Sequence, residues 1–359
     1  MTQPDLITDI RALNPAPAKP LTSSEQLRMQ QLLDGLSERS GGLGDARTSG
    51  VRRSRRAAHA IGFSLLGAAA LTVALVATNV VGLAGWRGGA DSAAASALES
   101  AAAATIEVSD PVVGPGQFLL IETSAVWSAT TADGAGGFTS FLDGYHDELY
   151  VPQNRDDDWV WMRYAREPVQ TFGPASEAFA AEMQALHEDE LLRAPAGTFY
   201  GGSPTSISGD YEALPRDPHR LLNEIYLTTL GEGQSRDGAA FVWITDVLRS
   251  GTVPADLRAA LYQAAARIPG VTITEQQATL DGTTGVAIGR VETTTDIRQD
   301  MIIDPTTGQF IGERQISLTA SNGLPAGVAS TSTSVTTSVV DAAPEGGTLY
   351  GNHPPGDQP

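Results

Sequence analysis

The sequence predicts an α+β protein: one transmembrane helix followed by an extracytoplasmic antiparallel sheet, half-barrel-like, with helices packed on one face. Three observations predict it. A charge-free apolar run over residues 57–86 follows a cluster of arginines. The chain beyond it reads as strands, then helices, then strands. It contains no cysteine, so an exported body of over 200 residues has to fold on its hydrophobic core alone.

The first 56 residues form a cytoplasmic segment with one short helix. Residues 1–20 are punctuated by "LNPAPAKP" and read as extended. In "LTSSEQLRMQQLLDGLSERSGG", Thr22 or Ser23 can cap a helix with Glu25 or Gln26 as reciprocal partner. Leu27, Leu33 and Leu36 give it an apolar stripe, and Gly41-Gly42 stop it.

Residues 57–86 are the expected membrane span. The most apolar part runs from Ile61 to Leu83, and at about 1.5 Å per residue it crosses a hydrocarbon core of about 30 Å. Arg52, Arg53, Arg55 and Arg56 precede it, whereas after Arg87 the next Lys or Arg is Arg155. The positive-inside rule then puts the N-terminus in the cytoplasm and the C-terminal domain outside the cell membrane. Two rival readings are a twin-arginine signal at "SRRAAHA" and cleavage at "DSAAASALES"; the leader of over 50 residues and the long apolar run oppose both. Ala70, Ala74 and Thr78 form a small-residue row of the kind that packs against another helix.

Residues 87–112 are Ala/Gly/Ser-rich and read as a tether, with a short helix at "SALESAAAA". The α+β domain is expected over 113–340. "GQFLLIETSAVWSATT", "FTSFLDGYHDELYVP" and "DDWVWMRYARE" are rich in β-branched and aromatic residues and read as a meander. Helices follow: "HRLLNEIYLTTL" with Asp217 as cap and Pro218 in the first turn, "AAFVWITDVLRSG", and "PADLRAALYQAAARIPG" opened by Pro254 and stopped at Pro269-Gly270. Strands resume with "VTITE", "GVAIGRVE", "RQDMIID", "QFIGERQISLTA" and "STSVTTSVVD". Asp304–Gly308 is a hairpin turn in which Gly308 supplies positive φ. Residues 341–359 read as a disordered tail.

Charge divides with the domains. Residues 1–86 hold nine Lys/Arg against six Asp/Glu, and residues 87–359 hold fourteen against thirty-six, so the total of -19 is carried by the outer part. An acidic body repels phosphates, which excludes nucleic acid as a partner. No P-loop, G-x-S-x-G or dinucleotide glycine pattern occurs. His59, His146, His187, His219 and His353 include no i, i+4 pair, so neither a metal nor a cofactor is implied. "YHDELY" reads as a strand edge and "HEDELL" at His187 as a solvated helix face. Trp159 and Trp161 share a strand face and fill either a core or a groove. No catalytic residue is assigned.

The N-terminal "DLITDIRALNP" and "PLTSSEQLRMQQLLDGL", the basic flank with its single span, "LPRDPHRLL", "LRAALYQAAARIPGV" and "DPTTGQFIGER" resemble an uncharacterised actinobacterial family of single-pass membrane proteins, commonly encoded beside extracytoplasmic-function sigma factors. The resemblance implies a role near envelope signalling and no catalytic residues. The strand–helix–strand order is similar in architecture to the half-barrels of lipoprotein carriers and of periplasmic regulators of anti-sigma factors. The function expected is a non-enzymatic, membrane-anchored binding or sensor protein. It would take a lipid, lipoprotein or protein outside and a signalling partner in the cytoplasm. The alternatives are an envelope hydrolase using carboxylates such as Asp143, Asp147 or Glu148, and a structural scaffold.

Overall fold

The computed structural model describes residues 88–107, 110–134, 136–199, 211 and 213–349. The expected cytoplasmic segment and span lie outside them. No helix among the described residues is long and apolar enough to cross a membrane.

The chain opens with α1 (Ser92–Glu107). The meander follows as β1 (Phe118–Ala132), β2 (Phe138–Pro152), β3 (Asp158–Arg163) and β4 (Glu167–Thr171). Next come α2 (Pro174–Gln184) and β5 (Glu190–Pro195). The helices α3 (Pro218–Thr228), α4 (Arg236–Arg249) and α5 (Ala255–Ala265) form the middle. Strands β6 (Thr272–Leu280), β7 (Thr283–Glu292), β8 (Ile297–Ile303), β9 (Phe310–Ser317), β10 (Ala329–Val340) and β11 (Thr348–Leu349) close the chain.

All eleven strands belong to one sheet of order β11-β5-β3-β2-β1-β10-β9-β8-β7-β6, with β4 also paired to β2. The α+β class is as expected. Pairing is antiparallel except for β11, which runs parallel to β5. Register assigns the two faces. Met301, Glu313, Thr333, Ala125 and Tyr145 lie in one cross-strand row, and Asp300, Arg314, Ser332, Val126 and Gly144 in the adjacent one. Side chains alternate across a strand, so the first row faces the helices and the second faces away from them.

The main core lies under the helices. Leu221 and Ile225 of α3, Phe241 and Ile244 of α4, and Leu257 and Leu261 of α5 pack with Ile288, Met301 and Ile303 of the sheet. Burying each such side chain stabilises by about 1.5–3 kcal/mol. The caps are the expected ones: Asp217 accepts from the Arg220 N–H at 2.9 Å, with Pro218 in the first turn.

Three expectations need correction. The segment read as a tether holds the expected helix, as α1, but it is docked: Ala94, Leu98, Ala101 and Ala102 are fully buried in this core. Alanine made the segment look like a linker, but it also gives α1 a flat face that lies close against Ala-rich α5. The presumed tail begins with an ordered stretch: Arg193 donates to the Pro344 and Gly346 carbonyls, and Thr348–Leu349 form β11. Finally, "YHDELY" belongs to β2, a central strand between β1 and β3, and not to an edge.

The β6 end of the sheet curls over the helix-free face. Glu275 of β6 reaches past β7 to Arg298 and Arg314, and Asp281 beyond the β6 end bonds Ser334 on β10 at 3.0 Å. Fully buried Asp300 sits inside the curl, bonded by Thr274 at 2.8 Å, Arg298 at 3.1 Å and Arg314 at 3.0 Å. Gly289 makes room for it, since a Cβ there would stand 2.1 Å from the Asp300 carboxylate.

Candidate ligand-binding cleft

Between the helical layer and the β1–β2–β10 part of the sheet lies a cleft of about 520 Å³. Leu119, Val151, Val335 and Thr337 supply its floor. Leu248, Val253 and Pro254 supply the helical wall, and the Thr307–Phe310 segment closes one end. The floor follows from strand alternation: the same β1 face that buries Ile121 presents Leu119 two residues earlier.

The turn before β9 is fixed from two sides. Thr105 of α1 and Tyr262 of α5 both donate to the Gly308 carbonyl, at 2.8 and 3.1 Å. Gly308 therefore meets two demands. Its φ is 71°, as the turn requires, and a Cβ would lie 2.1 Å from the Thr105 hydroxyl.

Two cations stand at the cleft. Arg258 donates to the Val253 carbonyl at 2.8 Å and pairs with Asp110 at 2.9 Å, whose other oxygen accepts from the Ala255 N–H at the start of α5. Arg155, on the turn between β2 and β3, is exposed and makes no ion pair among the described residues. The cleft thus joins an apolar floor to a mouth that carries Arg155 and the Arg258–Asp110 pair.

A second cavity, of about 440 Å³, is lined by Tyr145, Asp147, Arg163, Arg166 and His187 among others. It brings the two His-containing acidic stretches together. Residues 187–189 are a loop leading into β5, rather than a helix face. Burial pushes the Asp143 carboxyl above the ordinary aspartate value, while Arg166 and His187 pull it back. Burial likewise raises Asp147, against Arg163 and His146. The three carboxylates proposed for hydrolysis do not converge. Asp143 and Asp147 are four residues apart on one strand face, a separation of about 13 Å along an extended chain. Glu148 points to the opposite face. Glycoside chemistry requires carboxyls about 5–10 Å apart.

The tryptophans divide between the two expected roles in favour of packing. Trp159 is 1% exposed, and Trp161 stacks edge-on against Phe199 at 5.2 Å with Arg163 over its other side. A third cavity, of about 240 Å³, lies between α4 and β7–β9, lined by Phe241, Val242, Trp243 and Arg290. Nearby, buried Glu313 pairs with Arg249 at 2.7 Å, and burial still pushes its carboxyl upward.

One group on the helix-free face was not visible in the sequence. Glu122, His146 and Glu148 place a ligand-type atom each within 4.8 Å of one another. His146 and Glu148 share β2, but Glu122 comes from β1 and only register joins it to them. The signal was available in principle, since β1–β2 pairs are symmetric about the Asp133–Gly137 turn, which sets Glu122 against Glu148.

No family model matches the chain, and no curated protein matches it. Among solved structures, a DUF1329 family protein from Desulfovibrio piger aligns over 68% of this chain and 91% of its own, at 10% identity. Its TM-score of 0.16 is too low to carry an argument about fold or function.

Proposed function

We propose that this chain is a membrane-anchored, extracytoplasmic binding protein of the cell envelope that takes an amphipathic ligand with an acyl chain and an anionic head. The observation that carries the reading is the 520 Å³ cleft, apolar on its Leu119, Val151 and Val335 floor, with Arg155 at its mouth and Arg258 held there by Asp110. An apolar cavity with a few placed polar groups is the usual form of a small-molecule site. The curled sheet with helices on one face supports the half-barrel comparison, and the apolar run before Gly88 supports the anchor. A role beside sigma-factor signalling rests on the family resemblance alone.

The test is native mass spectrometry of the full-length protein released gently from detergent, with its bound lipid identified by fragmentation. The wild-type protein should carry a lipid adduct. Thr337→Trp should lose it, because Thr337 is an exposed lining residue whose enlargement fills the cleft without overpacking the core. Equal adducts on both proteins would end the proposal. Topology is checked by reporter fusions before Arg52 and after Trp86: a cytoplasmic signal from the second would overturn the orientation.

A further inference from the structure

The geometry points to a divalent-metal site on the helix-free face of the sheet, formed by Glu122, His146 and Glu148 and suited to a first-row transition ion such as Zn²⁺. It is separate from the cleft, because Glu122 and Glu148 lie on the opposite side of β1 and β2 from Leu119, Ile121 and Leu149.

The first argument is electrostatic. Glu122 and Glu148 are direct register partners across β1 and β2. Like charges placed opposite each other in this way destabilise a strand pair. Several other sheet carboxylates are met by arginine: Asp300 and Glu275 by Arg298 and Arg314, Glu313 by Arg249, and Glu292 by Arg290. Among the described residues neither Glu122 nor Glu148 pairs with an arginine. The ring beside them is the imidazole of His146, whose Nε2 lies 3.9 Å from Glu148.

The second argument is the donor set. An imidazole between two carboxylates is a mixed nitrogen and oxygen site, as first-row divalent ions prefer, whereas Ca²⁺ takes six to eight oxygens. The ligand atoms lie within 4.8 Å of one another, and an ion about 2.0–2.2 Å from each donor would draw them in to about 4.4 Å or less.

The third argument is support around the ligands. Both Glu148 oxygens are held, one by the Tyr150 hydroxyl at 2.5 Å and the other by the Tyr164 hydroxyl at 3.0 Å. His146 stacks on Tyr164 at 5.1 Å, and its Nδ1 lies 3.5 Å from the Ser124 hydroxyl, which leaves Nε2 as the metal-facing nitrogen. Such outer partners fix the tautomer and orientation of metal ligands. His146 is 44% exposed, so an ion would keep positions open to water or to a second molecule.

The experiment is calorimetric titration of the tag-free full-length protein in detergent with Zn²⁺. Wild type should show one saturable site. His146→Gln and Glu122→Gln should each weaken it by more than tenfold, and Tyr150→Phe by about tenfold, while His219→Gln leaves it unchanged. Added Zn²⁺ should raise the Tm of wild type but not of His146→Gln. Without metal, Glu122→Gln should melt no lower than wild type, since it relieves the opposed charges, and this separates lost ligation from lost folding. Wild-type affinity in both His146→Gln and Glu122→Gln would overturn the site, as would the absence of saturable binding up to about 1 mM Zn²⁺.

Discussion

Replacing Asp300 with Asn tests whether the curled end of the sheet depends on a buried charge network. Asp300 is fully buried and accepts from Thr274, Arg298 and Arg314. Asparagine keeps the shape but removes the charge: its carbonyl oxygen can take the Oδ2 place facing both guanidinium groups, with its amide turned to Thr274. Those groups would retain Glu275, which is 40% exposed and compensates less well. Breaking a buried charge pair from one side costs about 3–5 kcal/mol. At about 2–4 °C per kcal/mol for a domain of this size, Tm should fall by about 6–20 °C. The assay is thermal unfolding of the full-length protein followed by near-UV circular dichroism. Glu275→Gln should cost less alone, and the double variant should cost less than the sum, because both act on the same arginines. A fall in Tm below about 2 °C for Asp300→Asn would refute the reasoning, since the network would then be held together mainly by packing.

Leu98→Ala should destabilise by about 2–5 kcal/mol, because Leu98 is fully buried on α1; urea unfolding checks it, and a cost below about 1 kcal/mol would mean that α1 is not integral to the core. Glu313 gives a pH dependence. Folding raises its carboxyl above the ordinary value of 4.5, so the folded state binds the proton more tightly than the unfolded chain does. Its ionisation therefore subtracts stability as pH rises from about 4.5 through the raised value. Glu313→Gln should flatten stability against pH in that window, and parallel curves would contradict it. Glu275 acts with the opposite sign and at lower pH: its bond to Arg314 holds its carboxyl below the ordinary value, so its contribution is lost on acidification.

The helices α3 and α5 were legible because local chemistry defines them. Asp217-Pro218 opens one, Pro254 opens the other, and both show apolar spacing over about three turns. The long strands were legible from composition. For α1 the helix was legible at "SALESAAAA" but its docking was not, because alanine suits a linker and a close-packed helix equally, and only contact with α5 decides between them. Strands β4 and β5 and helix α2 are short, and each depends on β2 or β3 for its place. The curl of β6 depends on contacts between residues far apart in sequence, such as Glu275 with Arg314. No residue was assigned to the cleft from the sequence. Its floor and wall come from both halves of the strand–helix–strand order, so no local pattern carries it. Glu122 escaped notice for the same reason: an isolated glutamate in a strand acquires meaning only from the strand beside it.

The docking of α1 has a mechanical consequence. The Ala90 N–H bonds the Ala266 carbonyl at 3.0 Å and the Asp91 N–H bonds the Val271 carbonyl at 2.9 Å, so the chain is fastened to the domain from its first described turn. Only four peptide steps separate Trp86 from Ala90, and these can reach at most about 14 Å. On the proposed topology the outer domain would hang from a short connection instead of a long cord. A push or twist on the sheet would then be delivered to the α5–β6 corner and on toward the bilayer, with almost no slack to absorb it.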